Sequence, residues 1–279
     1  MPGLAWVTGA GGLIGSHIVR AAPHNWSVCP ATHAKLDMTN FAAVRSEFER
    51  DRPQLVIHCA ALSSIAVCKA NPERARATNC EATKYLAELA AGIPLLFFST
   101  DLVFDGRQGN YVEGDAVNPL SFYAETKVTA EQMVLANPRH TVIRTALTSG
   151  TSPRGDRSFD EQLRIAWQRG DVTRLFTDEF RSPIPAAVTA RAIWELVVNK
   201  ATGLFHLGGA ERISRFELGR RIAARWPQLK PRLEAISVRE FTTDFRPPDT
   251  SLNCNRIQRL LSFPLPKFSE WLESHSRCA

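Results

Sequence analysis

The chain has 279 residues, 44% of them hydrophobic, and carries 34 lysines and arginines against 28 aspartates and glutamates, a formal charge of +6 at pH 7. This is enough apolar material for a full core, near the upper size of one domain or the lower size of two. No run approaches the roughly 20 apolar residues that span a bilayer, and the basic residues are scattered rather than gathered into an aromatic-laced stripe, which excludes a membrane helix and argues against nucleic-acid binding.

The first residues run directly into an apolar segment without a basic stretch or cleavage site, so a cytoplasmic protein is expected. Cysteines at 29, 59, 68, 80, 254 and 278 form no C-x-x-C pair and read as free thiols. Seven histidines are scattered without ligand spacing, and no metal site is expected. An anionic, diphosphate-bearing metabolite suits the positive charge.

In chain order, strands are expected at 4–8, 26–30, 55–61, 95–100 and 141–144, alternating with helical patterns. Phe41, Val44 and Phe48 recur at helical spacing, as do Ala77, Tyr85, Leu86 and Leu89 within a helix over 71–91 that stops at Gly92. The alternation implies an α/β fold with a doubly wound parallel sheet covered on both faces. Residues 1–150 read as the dinucleotide-binding domain. Residues 151–279 read mainly as a smaller substrate-binding domain, with elements near 172–200 returning to the first. A helix near 158–169, another near 186–199 and a strand at 204–207 are expected there, while the prolines of 226–250 leave no room for long elements.

The first strand ends at Thr8, and Gly9, Gly12 and Gly15 follow at the spacing G-x-x-G-x-x-G before the helical Leu13–Arg20. Glycines there permit a tight turn and close backbone approach, and the free N–H groups at the helix start suit a diphosphate. Gly9, Gly12, Leu13, Ile14 and Gly15 are therefore candidate cofactor contacts. The second strand runs into Cys29-Pro30-Ala31-Thr32-His33 with no acid to take a ribose 2′-hydroxyl, which favours NADP over NAD, with His33 beside the phosphate. Asp37 then faces the adenine or caps the helix beginning near Asn40.

Tyr123 and Lys127 stand four residues apart, on one face of a helix. An ammonium about 4 Å from the phenol at an effective dielectric of ~20 is worth about 4 kcal/mol, roughly three pKa units, so Tyr123 is expected to titrate near neutrality. Ser99-Thr100-Asp101 closes an apolar strand at its carboxyl end, where α/β sheets place ligands. A hydroxyl there, preferably that of Thr100, can donate to the carbonyl oxygen that Tyr123 protonates.

These pieces, with Leu36-Asp37-Met38-Thr39, His58-Cys59-Ala60-Ala61, Asn79, the run from Ser99 to Gly106, Asn118-Pro119-Leu120, Arg144-Thr145 and the run from Arg246 to Leu252, resemble the extended short-chain dehydrogenase/reductase family over nearly the whole length. Within it they resemble the dTDP-4-dehydrorhamnose reductase group. The resemblance implies a Rossmann-like domain on NAD(P)H, a smaller lobe for a nucleotide sugar, and Thr100, Tyr123 and Lys127 as catalytic residues. It further implies cofactor contacts from Met38, Cys59, Ala60, Ala61, Asn79, Ser99, Tyr123 and Lys127, and substrate contacts from Ser99, Asp101, Val103, Phe104 and Arg181. A homodimer is compatible with it.

The chain departs from the group at Ala146-Leu147, where a Ser-Trp pair is usual, at Leu102 in place of a tyrosine, and at Arg181-Ser182-Pro183. A nucleotide-sugar epimerase, and a non-catalytic subunit similar to the beta subunit of methionine adenosyltransferase, are the competing readings. Dehydration is disfavoured because no glutamate follows Asp101.

Overall fold

The computed structural model describes residues 3–240 and 246–275. The first half is a βα alternation: β1 (Gly3–Thr8), α1 (Leu13–Arg20), β2 (Trp26–Ala31), α2 (Phe41–Asp51), β3 (Leu55–His58), α3 (Ile65–Ala70), α4 (Pro72–Arg76), α5 (Ala82–Leu89), β4 (Leu95–Thr100), α6 (Phe122–Leu135) and β5 (Thr141–Thr145). Then come β6 (Thr148–Ser149), α7 (Phe159–Gln168), β7 (Val172–Phe176), β8 (Phe180–Arg181), β9 (Ile184–Pro185), α8 (Ala186–Val198) and β10 (Gly203–Leu207). The chain closes with β11 (Ile213–Ser214), α9 (Arg215–Ala223), β12 (Arg232–Ile236), α10 (Asn255–Gln258) and α11 (Phe268–Ser274).

Six strands form one parallel sheet in the order β10-β5-β4-β3-β1-β2. The chain starts at β1, steps outward to β2, then crosses back to β3 on the other side, so the winding direction reverses beside β1, where such sheets open a crevice at their carboxyl ends. Strand alternation assigns each side chain to a face. Ala5, Val7, Ile57, Leu96, Phe98 and Ile143 pack with Ile18, Ile193 and Trp194 of α1 and α8. Trp6, Val56, Leu95, Phe97 and Val142 pack with Val44, Leu86, Ala130 and Val134 of α2, α5 and α6. Burying each large side chain contributes about 1.5–3 kcal/mol, so the continuous apolar runs hold the sheet between two helical layers.

Several elements differ from expectation. Strand β3 stops at His58 rather than reaching 61. The Ala60 N–H leaves the ladder and donates to Thr8 Oγ1 at 3.2 Å, which turns Cys59–Ala61 out over the sheet edge. The helix expected over 71–91 is found from Pro72 to Leu89, with a wider π-turn (Ala77–Glu81) between α4 and α5, and a separate helix, α3, ends just ahead of it at Ala70. Proline lacks the N–H that would continue α3, yet it is tolerated in the first turn of α4.

The strand near 204–207 was expected in the substrate lobe; instead it is β10, the edge of the main sheet, pairing in parallel with β5. Segment 172–176, expected to return to the first domain, pairs in parallel with β12 outside that sheet. Helix α8 does return: the Trp194 indole donates to the Ile18 carbonyl at 2.9 Å, joining α8 to α1. The helix near 158–169 starts on a full capping box, Ser158 with Glu161. Five cysteines among the described residues are free thiols, and Cys278 lies outside them. No helix among the described residues is long and apolar enough to cross a membrane.

Candidate active site

A cleft of about 1810 Å3 opens over the carboxyl ends of the sheet, and its wall is built from the turns that follow β1, β2, β3, β4 and β5. The glycine turn forms its floor. Gly9 has φ +64°, and a Cβ there would meet the Ala60 nitrogen at 2.7 Å. A Cβ on Gly15 would run into the Gly9 carbonyl oxygen. The backbone of this turn therefore lies directly against the start of α1, whose first N–H groups have no intrahelical acceptor. Leu13, Ile14, Cys59, Ala60 and Ala61 line the same floor.

Behind it, Thr8 Oγ1 and His58 Nδ1 are 2.6 Å apart, and His58 Nε2 and Thr83 Oγ1 are 3.0 Å apart. Thr83 donates to the Asn79 carbonyl at 2.8 Å, so its oxygen accepts from Nε2, and His58 is a neutral imidazole protonated on Nε2. Burial, reinforced by Lys127, holds its pKa down to about 3.

At the end of β2 the cleft meets Thr32, His33, Asp37 and Met38. Asp37 does not cap α2. Its carboxylate accepts from the Thr39 N–H at 2.9 Å and hydroxyl at 2.8 Å, which holds its pKa below the usual range, while Asn40 caps the helix through the Ala43 N–H at 3.1 Å.

At the other end Ser99, Thr100, Asp101, Tyr123 and Lys127 converge, with Ser99 Oγ buried and without a hydrogen-bond partner. Tyr123 and Lys127 share one face of α6, as the spacing requires, and both are buried. The electrostatics differ from expectation. Burial raises the Tyr123 pKa, Asp101 raises it further, and a hydrogen bond from Thr100 opposes them. Lys127 lies over the Phe97 ring, 4.0 Å from its centroid, and burial lowers its pKa to about 7. Burial outweighs any pull of Lys127 on the phenol, so the three-unit depression expected of Tyr123 is absent. Glu131, one turn along α6 from Lys127, pairs with Arg144 at 2.8 Å.

Asp101 accepts from the Thr250 hydroxyl at 2.9 Å and lies 3.7 Å from Arg181 Nε. Burial raises its pKa against the pull of Arg181. Arg181 is buried, bonding Glu179 at 2.9 Å and touching Thr250. Arg246 reaches Glu179 at 3.6 Å and Arg215 at 3.9 Å, yet Glu179 Oε2 has no hydrogen-bond partner.

Three candidates fall outside the wall. Asn79, in the π-turn, spends its amide on both backbone groups of Leu62 and on Thr126. Val103 and Phe104 are core, with Phe104 stacked on Tyr111 at 4.0 Å. Sequence reasoning missed Glu179, Arg215 and Arg74, which line the cleft. Arg246, which also lines it, stood in a motif without an assigned role.

The family model described as the RmlD substrate binding domain matches residues 5–277. The chain belongs to this family. Among RmlD-type relatives, a dTDP-4-dehydrorhamnose reductase of Sinorhizobium fredii is 28% identical, covering 95% of this chain and 93% of its own. A probable low-salt glycan biosynthesis reductase, Agl14 of Haloferax volcanii, is 32% identical over 78% of each chain. The methionine adenosyltransferase 2 subunit beta of Xenopus laevis is 26% identical, over 92% of this chain and 82% of its own. A dTDP-4-dehydrorhamnose reductase from Bacillus anthracis, solved in complex with NADP, has the same fold, with a TM-score of 0.89 at 23% identity over 98% of each chain. The RmlD family is one of NAD(P)-dependent nucleotide-sugar reductases of the short-chain type, and includes non-catalytic members.

Proposed function

We propose that the protein is an NADPH-dependent reductase of a 4-keto sugar carried on a nucleoside diphosphate, of the dTDP-4-dehydrorhamnose kind. The observation that carries this reading is the convergence of Thr100, Tyr123 and Lys127 at the end of β4, in the same cleft as the glycine turn. A nicotinamide dinucleotide supplies the hydride when bound, and the cradle fits one: Gly9 and Gly15 leave no room for side chains, and Ser99 Oγ awaits a partner. Absence of an acid just after β2 favours the phosphorylated form.

Tyr123 is the proton donor to the substrate oxygen. Its raised pKa keeps the phenol protonated at neutral pH, the form a reduction consumes. Thr100 would hydrogen-bond the same oxygen, and Lys127, which lies over the Phe97 ring, would hold the ribose hydroxyls and, as a cation, ease loss of the phenolic proton. Asp101 orients Thr100, with the two oxygens 3.3 Å apart. The part of the cleft walled by Arg181, Arg215, Arg246 and Glu179 receives the nucleotide sugar, and its surplus of guanidinium groups over carboxylates suits a diphosphate.

NADPH oxidation followed with dTDP-4-dehydrorhamnose tests the reading. Turnover that falls by about 10²–10⁴ in Tyr123→Phe supports it. Folded protein that binds NADPH but turns over no keto sugar overturns it, and favours the subunit role suggested by the methionine adenosyltransferase relative.

A further inference from the structure

The wall of the cleft beside the end of β2 contains residues from two distant stretches. Thr32 and His33 come from the turn after β2, a tight one in which the Thr32 carbonyl accepts from both Lys35 N and Leu36 N at 2.9 Å. Thr32 stands over the glycine turn, its methyl 3.7 Å from where a Cβ of Gly11 would lie. Lys69, on α3, and Arg74, on α4 beyond the break at Asn71-Pro72, come from the β3–β4 crossover, and both line the cleft. Asp37 feels the charge of both His33 and Arg74. Its carboxylate is turned onto Thr39, so it does not occupy the position that selects a ribose 2′-hydroxyl.

We propose that Arg74, reaching across from the crossover, clasps the 2′-phosphate of NADP against Thr32 and His33, and so sets the choice of NADP over NAD. This deepens the NADPH reading above and rests on it. The planar guanidinium offers paired donors to a phosphate, which the residues after β2 do not supply, and Lys69 adds a second cation on the same wall. Arg76, two residues on, packs over the Phe122 ring at 5.7 Å and is not part of the cleft wall. It is a built-in control for charge without contact.

Titration calorimetry of the full chain with NADP+, NAD+ and the fragment 2′,5′-ADP provides the test. Arg74→Ala should weaken NADP+ and 2′,5′-ADP by about 10- to 100-fold and leave NAD+ within about twofold. Arg74→Lys should fall between, and Arg76→Ala should change neither. Equal weakening of NADP+ and NAD+ in Arg74→Ala would assign Arg74 a structural role and overturn the clasp. So would an unchanged NADP+ affinity, or an Arg76→Ala loss equal to that of Arg74→Ala. Wild-type protein that binds neither dinucleotide would sink the reductase reading itself.

Discussion

The two ends of the cleft are built on opposite principles. The end proposed for the dinucleotide is mostly backbone and neutral side chains: a glycine turn, a helix start, and the Thr8–His58–Thr83 chain behind them. The end proposed for the substrate is a buried ionic lattice in which Asp101, Glu179, Arg181 and Arg246 meet from three separate segments. A neutral hydrogen-bonded scaffold tolerates any pH at which its histidine stays neutral, whereas a buried ionic lattice depends on every member remaining in place.

Acid should break the first end and spare part of the second. The His58 pKa lies near 3 in the folded state against 6.5 unfolded, so its contribution is intact above pH 6.5 and declines as pH falls from there towards 3. The total is roughly 5 kcal/mol. Urea midpoints between pH 7 and pH 4 should fall steeply in the wild type and more gently in His58→Gln; identical slopes would remove His58 from the account. Asp101 has the reverse sign: its pKa is raised, so its ionisation costs stability as pH rises through the folded value, and acid relieves it.

Removing one ion from the lattice comes next. Glu179→Ala leaves Arg181 without its 2.9 Å partner and should cost about 3–5 kcal/mol in chemical denaturation, with NADPH affinity in the surviving folded protein unchanged. At the dinucleotide end Gly9→Ala should cost about 1–3 kcal/mol from its left-handed backbone alone, and abolish NADPH binding as the floor shifts away from Ala60. A variant with wild-type stability and binding would show that the turn can relax.

The smallest effect concerns protons. Lys127, whose pKa burial lowers to about 7, should gain charge against the dinucleotide, so NADPH binding near neutral pH takes up protons. Calorimetry in buffers of differing ionisation heat reads this directly, and Lys127→Met should abolish the uptake.

The same contrast decides what could be read without coordinates. The glycine turn is made of residues a few positions apart, and so is the Tyr123–Lys127 pair, so spacing alone reveals each of them. The main-sheet strands of the first half were legible because apolar runs between helical patterns have few alternatives. The lattice was opaque: Glu179 sits in the connection before a two-residue strand and Arg215 at a helix start, both of which look like surface, and only tertiary contact brings them to Asp101. Val103, Phe104 and Asn79 misled for a related reason, since a motif constrains residues that support a site as strictly as those that form it. The electrostatics of Tyr123 and Lys127 went astray because pair distance was considered without burial, and burial dominates both groups.

Thr250 donates to Asp101 across 149 positions, and the backbone on either side of it bridges to Phe180 and Tyr111. A ribosome that has released the whole Tyr123–Lys127 helix has thus made the reagents but not their frame. Until Thr250, about nine-tenths of the way along the polypeptide, has emerged, Asp101 lacks its hydroxyl partner. On the proposed function the chain stays chemically silent through most of its own translation, and a C-terminal nick ahead of Arg246 should leave a chain that holds a dinucleotide and does nothing with it.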